Sequence, residues 1–247
     1  MTADHTRFTR ALRVKYSRVL QEAEESETNF VRPGLPLRVD SSGAVVFLPA
    51  GSIAVQALIS QTSRAGVELT GFVQRLRARF HRLEGRTFWQ PSGTFHLNVA
   101  LLRRLAIGAL EPNECEQVIE TAMDVLDWLE ELRGYDVRLR GTIVAKDGGI
   151  IVAGYPLDGT PALARRRFRE GGFLDQQDLF HVTVGRLLAP LPPATWRELL
   201  QSCQEDLRTR PDIALPVRSA VLICEREGFL HDPSCYQVVR TFRWRPV

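Results

Sequence analysis

The chain has 247 residues, 44% of them hydrophobic and 25% charged, with a formal net charge of +3. That balance excludes a disordered or fibrous chain, gives enough length for one large domain or two intimate lobes, and compels neither a nucleic-acid nor a membrane partner. No run of about 18 apolar residues is present to span a membrane, and Asp4 and the charged stretch 22–27 exclude a signal peptide, so a cytoplasmic location is expected.

In chain order, Phe8, Leu12, Tyr16, Val19 and Leu20 recur at helical spacing over 6–25, which predicts an amphipathic helix. Pro33-Gly34-Leu35-Pro36 is a breaker cluster, so residues 1–36 read as a helical extension and 37–247 as the main domain. Val45–Leu48 is expected to be the first core strand. Residues 53–60 alternate as a strand would but also permit a helix. Leu69, Phe72, Val73, Leu76 and Phe80 form a helical stripe within 67–84, with arginines on the solvated side. After a strand at 94–102, Asn113 and Glu116 suggest a capping box for a helix that Gly134 ends. Residues 135–155 read as a hairpin turning at Asp147-Gly148-Gly149. Thr160-Pro161 opens a short arginine-rich helix, and a strand follows at 179–187. Thr195 and Glu198 suggest another capping box. Two long strands, 213–226 and 234–244, close the chain around a loop holding Gly228 and Pro233. The mixture is α+β, with antiparallel sheets backed by helices.

The cysteines, Cys115, Cys203, Cys224 and Cys235, lack Cys-x-x-Cys spacing and read as buried thiols of a reducing compartment. Cys224, His231 and Cys235 match no zinc pattern. His5, His81 and His231 have no partner pattern, and His231 is expected to be exposed. Of the 32 basic side chains only Lys15 and Lys146 are lysine. Arginine suits bidentate phosphate contacts, while a genome rich in arginine codons accounts for most of them.

Two segments carry the chemistry. Phe95-His96-Leu97-Asn98-Val99 and Phe180-His181-Val182-Thr183-Val184 share one pattern, and their histidines are 85 residues apart. On a strand, side chains alternate between faces. His96 and Asn98 therefore share one face, as do His181 and Thr183, while the flanking Phe, Leu and Val side chains bury the other. A near-repeat of this kind points to a pseudo-twofold. Arg186 falls on the face opposite His181 if its strand is regular, and is left out of the site on that ground.

The paired His-x-Thr-x-aliphatic strands resemble those of the two-histidine (2H) phosphoesterase superfamily, which includes the bacterial RNA 2′,3′-cyclic phosphodiesterases. The second copy fits the family pattern fully; in the first, Asn98 stands where Thr or Ser is usual. The resemblance implies a bilobal α+β fold, its antiparallel sheets lining a central cleft with helices packed outside. It implies His96 and His181 as the acid/base pair, Asn98 and Thr183 as phosphate ligands, and a 2′,3′-cyclic phosphate on an RNA end or small nucleotide as substrate. It calls for no metal, no cofactor and no obligate protein partner. Tyr155 and Tyr236 as base-stacking groups, and Arg138 and Arg140 as phosphate-channel groups, complete the expected site. A nucleotide- or RNA-binding module without turnover, and a hydrolase of another cyclic or 2′-5′ linkage, are the alternatives.

Overall fold

The computed structural model describes residues 3–31, 36–174, 176, 179–225 and 236–245. Gly228, His231, Pro233 and Cys235, and most of the Pro33–Pro36 breaker cluster, fall outside these residues. The elements are α1 (Ala3–Glu24), β1 (Leu37–Val39), β2 (Val45–Phe47), β3 (Ala50–Leu58), α2 (Arg64–Arg79), β4 (Thr87–Trp89) and β5 (His96–Ile107). There follow α3 (Pro112–Thr121), α4 (Met123–Glu130), β6 (Tyr135–Val144), β7 (Gly149–Pro156), α5 (Thr160–Glu170), β8 (His181–Leu187), α6 (Pro193–Thr209), β9 (Ile213–Val217), β10 (Ser219–Glu225) and β11 (Tyr236–Arg243).

The architecture is α+β, and the named strands pair antiparallel. The main sheet runs β11-β10-β3-β5-β8-β7-β6-β9, with β4 paired to β8. It falls into two halves, β11-β10-β3-β5 and β8-β7-β6-β9 with β4, that meet where β5 lies beside β8. At that seam Leu97 is bridged to Val182. These two residues are 85 positions apart, the same offset as the histidines. A two-fold axis through an antiparallel pair therefore exchanges His96 with His181 and Asn98 with Thr183. The near-repeat in the sequence is thus a near-symmetry of the fold.

A second link joins the halves. β9 pairs with β6 and β10 with β3, yet only Arg218 separates them in the chain. One residue connects strands near opposite ends of the sheet, so the sheet must curl until those ends approach. Arg218 holds the corner with guanidinium hydrogen bonds to Tyr135 O (2.8 Å) and Asp136 Oδ1 (2.6 Å). The long strand expected over 213–226 is in fact two, divided at this corner. Alternation continues across a corner that only the pairing partners reveal.

Other expectations are corrected in detail. The ambiguous stretch 53–60 is strand as far as Leu58: Ile53, Val55 and Ala57 enter the core, while Ser52, Ala54 and Gln56 face the cavity described below. Val45–Leu48 is no core strand, because β2 pairs with β1 in a separate two-stranded sheet packed on Phe88 and Leu188. The helix after β5 is broken at Ala122 into α3 and α4. Glu111 rather than Asn113 is its N-cap, and α6 starts after Pro192 with no side-chain cap. In both cases a proline in the first helical turn, which has no N–H to satisfy, sets the start instead. Cys115 on α3 and Cys224 on β10 form a disulfide across 109 residues, so the expectation of separate thiols fails for this pair. Cys203 is a buried thiol whose pKa burial raises.

The core is continuous across both halves and includes Leu12, Tyr16 and Ala23 of α1. Tyr16 is the chief contact of that helix. Its hydroxyl donates to Phe180 O and accepts from Gly154 N at 3.1 Å, and its ring packs on Tyr155 with centroids 5.3 Å apart. Gly154 is needed there, because a Cβ would sit 2.6 Å from Phe180 O. Gly154→Ala is expected to destabilise the fold by about 2–3 kcal/mol through forced displacement of β8. Tyr16→Phe, which removes only the hydroxyl, is expected to cost about 1 kcal/mol. Urea unfolding of the two variants checks this ordering.

Candidate active site

The seam places four side chains on one cavity. His96, Asn98, His181 and Thr183 all line a pocket of about 890 Å³, within the usual range for small-molecule sites. With Leu97 opposite Val182, His96 stands across from Thr183 and Asn98 across from His181. The two histidines occupy diagonal positions, about 7–8 Å apart at the backbone. Their apolar neighbours lie underneath: Phe95, Leu97, Val99, Phe180, Val182 and Val184 are each at most 1% exposed. Burial of those six side chains fixes which way the two histidines face.

The rings are only partly exposed, and their environments differ. His96 Nδ1 lies 2.9 Å from Thr94 O. A carbonyl only accepts, so Nδ1 carries the proton and Nε2 is the basic nitrogen of the neutral ring. His181 Nδ1 is buried without a hydrogen-bond partner, which leaves Nε2 to meet the cavity. Burial lowers the pKa of His96, partly offset by the Thr94 carbonyl. His181 is pushed down to about 3, first by burial and then by the positive charges of Arg165, His96 and Arg186. Both rings are therefore neutral near pH 7 in the free protein.

Two arginines shape this field. Arg165 of α5 is 2% exposed. It donates to Asn98 O at 2.9 Å, and its guanidinium carbon lies 4.9 Å from the centre of the Phe180 ring, so it clamps β5 and β8 together. Nothing in the Arg165-Arg166-Arg167 run distinguishes it by sequence. Arg186 lines the cavity with His181, which overturns the reading that placed it on the far face. Ile150 pairs with Gly185 and Ile151 with Thr183, leaving Val184 as an extra residue. A bulge of this kind reverses the alternation beyond it. Arg186 Nη1 lies 3.7 Å from Asp147 Oδ2.

The remaining expected residues do not join the cavity wall. Tyr155 packs on Tyr16. Arg140 Nε lies 3.8 Å from Asp212 Oδ1, and Arg138 is exposed on β6. Tyr236 pairs with Glu225, which does line the cavity, but is not itself part of the wall. Among the described residues no cluster of three His, Cys, Asp or Glu side chains could hold a metal, and no helix is long and apolar enough to cross a membrane.

Comparison with solved structures gives the fold its relatives. The conserved protein of unknown function ATU0111 from Agrobacterium tumefaciens str. C58 superposes with a TM-score of 0.55 at 17% identity, covering 82% of this chain and 89% of its own. TT0787 of Thermus thermophilus gives 0.52 at 17% identity, over 79% and 98% of the two chains. Escherichia coli LigT in apo form gives 0.46 at 12% identity, over 80% and 99%. The likeness to the first two, at these identities, is likeness of fold. No protein-family model and no curated protein matches the chain.

An anion placed between the rings raises both histidine pKa values from their lowered free-state positions, and His96, whose Nδ1–H the Thr94 carbonyl supports, is the ring that takes up a proton. Between the free and bound pKa values binding takes up a proton, so affinity rises as pH falls. Sulfate, which does not titrate in this range, is expected to bind more tightly at about pH 5.5 than at about pH 7.5, with proton uptake. Calorimetry in buffers of different ionisation enthalpy checks this, and His96→Ala should reduce the uptake.

Proposed function

We propose that the chain is a metal-independent phosphodiesterase that opens 2′,3′-cyclic phosphates of RNA ends or small nucleotides, with His96 and His181 as its acid/base pair. The observation that supports this most strongly is the seam register, which sets two histidines and two small hydrogen-bonding side chains on one cavity in near-twofold relation.

Neutral His181 Nε2 accepts a proton from water as the water oxygen bonds to phosphorus. His96, protonated once the anion is bound, gives its Nε2 proton to the departing ribose oxygen as the ring P–O bond breaks. The product is a phosphomonoester beside a free hydroxyl, and the two histidines have exchanged roles. The assignment follows from their surroundings. Thr94 O stabilises an Nδ1–H on His96, whereas Arg165 and Arg186 oppose positive charge on His181. Attack in line with the leaving group needs acid and base on opposite sides of phosphorus, which the diagonal arrangement permits. Thr183, the Asn98 amide and Arg186 donate to the non-bridging oxygens, where charge grows in the transition state.

The test is turnover of 2′,3′-cyclic nucleotides and short cyclic-phosphate-ended RNA in EDTA. Activity is expected to persist, to follow a bell-shaped pH profile, and to fall at least about a hundredfold in His96→Ala or His181→Ala. Loss of activity in EDTA would replace this mechanism with a metal-dependent one.

Asn98 tests the departure from the family pattern. Asn98→Thr is expected to keep or raise turnover, while Asn98→Ala should lower it, by as much as about 10² to 10³ if the amide acts mainly in the transition state. The departure itself favours one second reading, a nucleotide-binding module. An inactive wild type with an active Asn98→Thr variant would establish that reading instead.

A further inference from the structure

We propose that the segment leaving α1 builds a ring-stacking platform into the cavity, with Phe30 as its surface, and that the group it takes is a nucleotide base. The proposal rests on the reading that a phosphate sits at His96 and His181, and it adds an element that neither motif strand supplies.

The segment is pinned to the fold before it reaches Phe30. The Trp196 indole donates to Ala23 O at 3.2 Å and Ser26 O at 3.0 Å, and the Thr28 hydroxyl to Leu191 O at 2.5 Å. Asn29 is 1% exposed; it donates to Ala189 O at 3.1 Å and accepts from Leu191 N at 2.9 Å. Phe30 N then donates to Lys146 O at 3.0 Å, in the β6–β7 turn. A backbone fixed on both α6 and the hairpin leaves Phe30 little freedom. Its ring is nevertheless 44% exposed and lines the cavity. The fold buries the polar Asn29 and holds the neighbouring aromatic open to the pocket, the reverse of the usual preference.

The surroundings say what kind of group would cover that ring. Phe88 and Leu37 line the same cavity and make its wall apolar. Lys146 and Arg186 also line it, and Asp147, next to Lys146, lies against Arg186. The Phe30 end is therefore the Arg186 end of β8, five residues beyond His181. At about 3.3 Å per residue, less the bulge, that is roughly 13–16 Å of strand, more than a mononucleotide spans but within reach of a dinucleotide held by its terminal phosphate at the histidines. A planar, apolar-faced group attached to an anion suits a wall where an aromatic stands beside cations. Every base offers such a face, so stacking of this kind binds without selecting strongly among bases.

The test uses the full chain and reads affinity rather than turnover, so it stands whether or not the proposed hydrolysis does. Calorimetric affinities for the dinucleotide adenylyl-(3′→5′)-adenosine 3′-phosphate and for ribose 5-phosphate, which has no base, are compared in wild type, Phe30→Ala and Phe30→Trp. Loss of a stacked base is expected to weaken dinucleotide binding about tenfold in Phe30→Ala, with Phe30→Trp keeping it and ribose 5-phosphate unaffected. Equal weakening of both ligands, no weakening of either, or a wild type that binds the two alike would overturn the proposal. A wild type without phosphodiesterase activity that still shows the base-dependent loss would sink the proposed chemistry and leave the platform standing.

Discussion

Between β5 and β8, Leu97 and Val182 form the bridged pair, and the candidate site depends on their register. A slip of one residue along either strand would turn its histidine into the core and its apolar neighbours into the cavity. The register is held from below by six buried apolar side chains, and by Arg165, which reaches from α5 to the Asn98 carbonyl and the Phe180 ring. It is held from outside by the corner at Arg218, where the chain passes from one half of the sheet to the other. A seam with so little pairing of its own is stabilised by what surrounds it.

The same surroundings set the chemistry. Two imidazoles related by near-symmetry would be equivalent if only their strands mattered. They are not, because Thr94 O meets one ring and arginine charge meets the other. Pseudo-symmetry brings two similar groups together, and departures from it give the two rings different surroundings. Asn98 in place of a hydroxyl is a further departure at the same place. It keeps a hydrogen-bond donor while adding length and planarity, so the two sides of a bound phosphate would be held differently.

The segment before β1 is tied into the rest by Tyr16, Trp196 and Asn29, each buried. Its helix packs with β6, β7, α5 and α6, and its C-terminal stretch reaches the cavity. A segment whose Tyr16 hydroxyl donates to Phe180 O and whose Phe30 lines the cavity connects the second motif strand to the pocket rim. Which groups enter the cavity from outside the sheet is decided by these connections.

The amino-acid sequence by itself determined the two motif strands, their facing, the α+β class and most helix positions. Alternation and helical periodicity are local properties, and Phe95 to Val99 or Phe180 to Val184 express them within five residues. The Val184 bulge, the corner at Arg218, the Cys115–Cys224 pairing and the clamp by Arg165 were decided only by tertiary structure. Each depends on a partner far along the chain: Arg186 turns toward the cavity because β7 pairs past Val184, and Arg165 matters because α5 lands beneath β5. Tyr155, Arg138 and Arg140 show the same limit from the other side. Their residue types suit a nucleotide site, but the packing of α1 on Tyr155 and the ion pair at Asp212 belong to the folded chain, and no local pattern encodes where a long-range neighbour will lie.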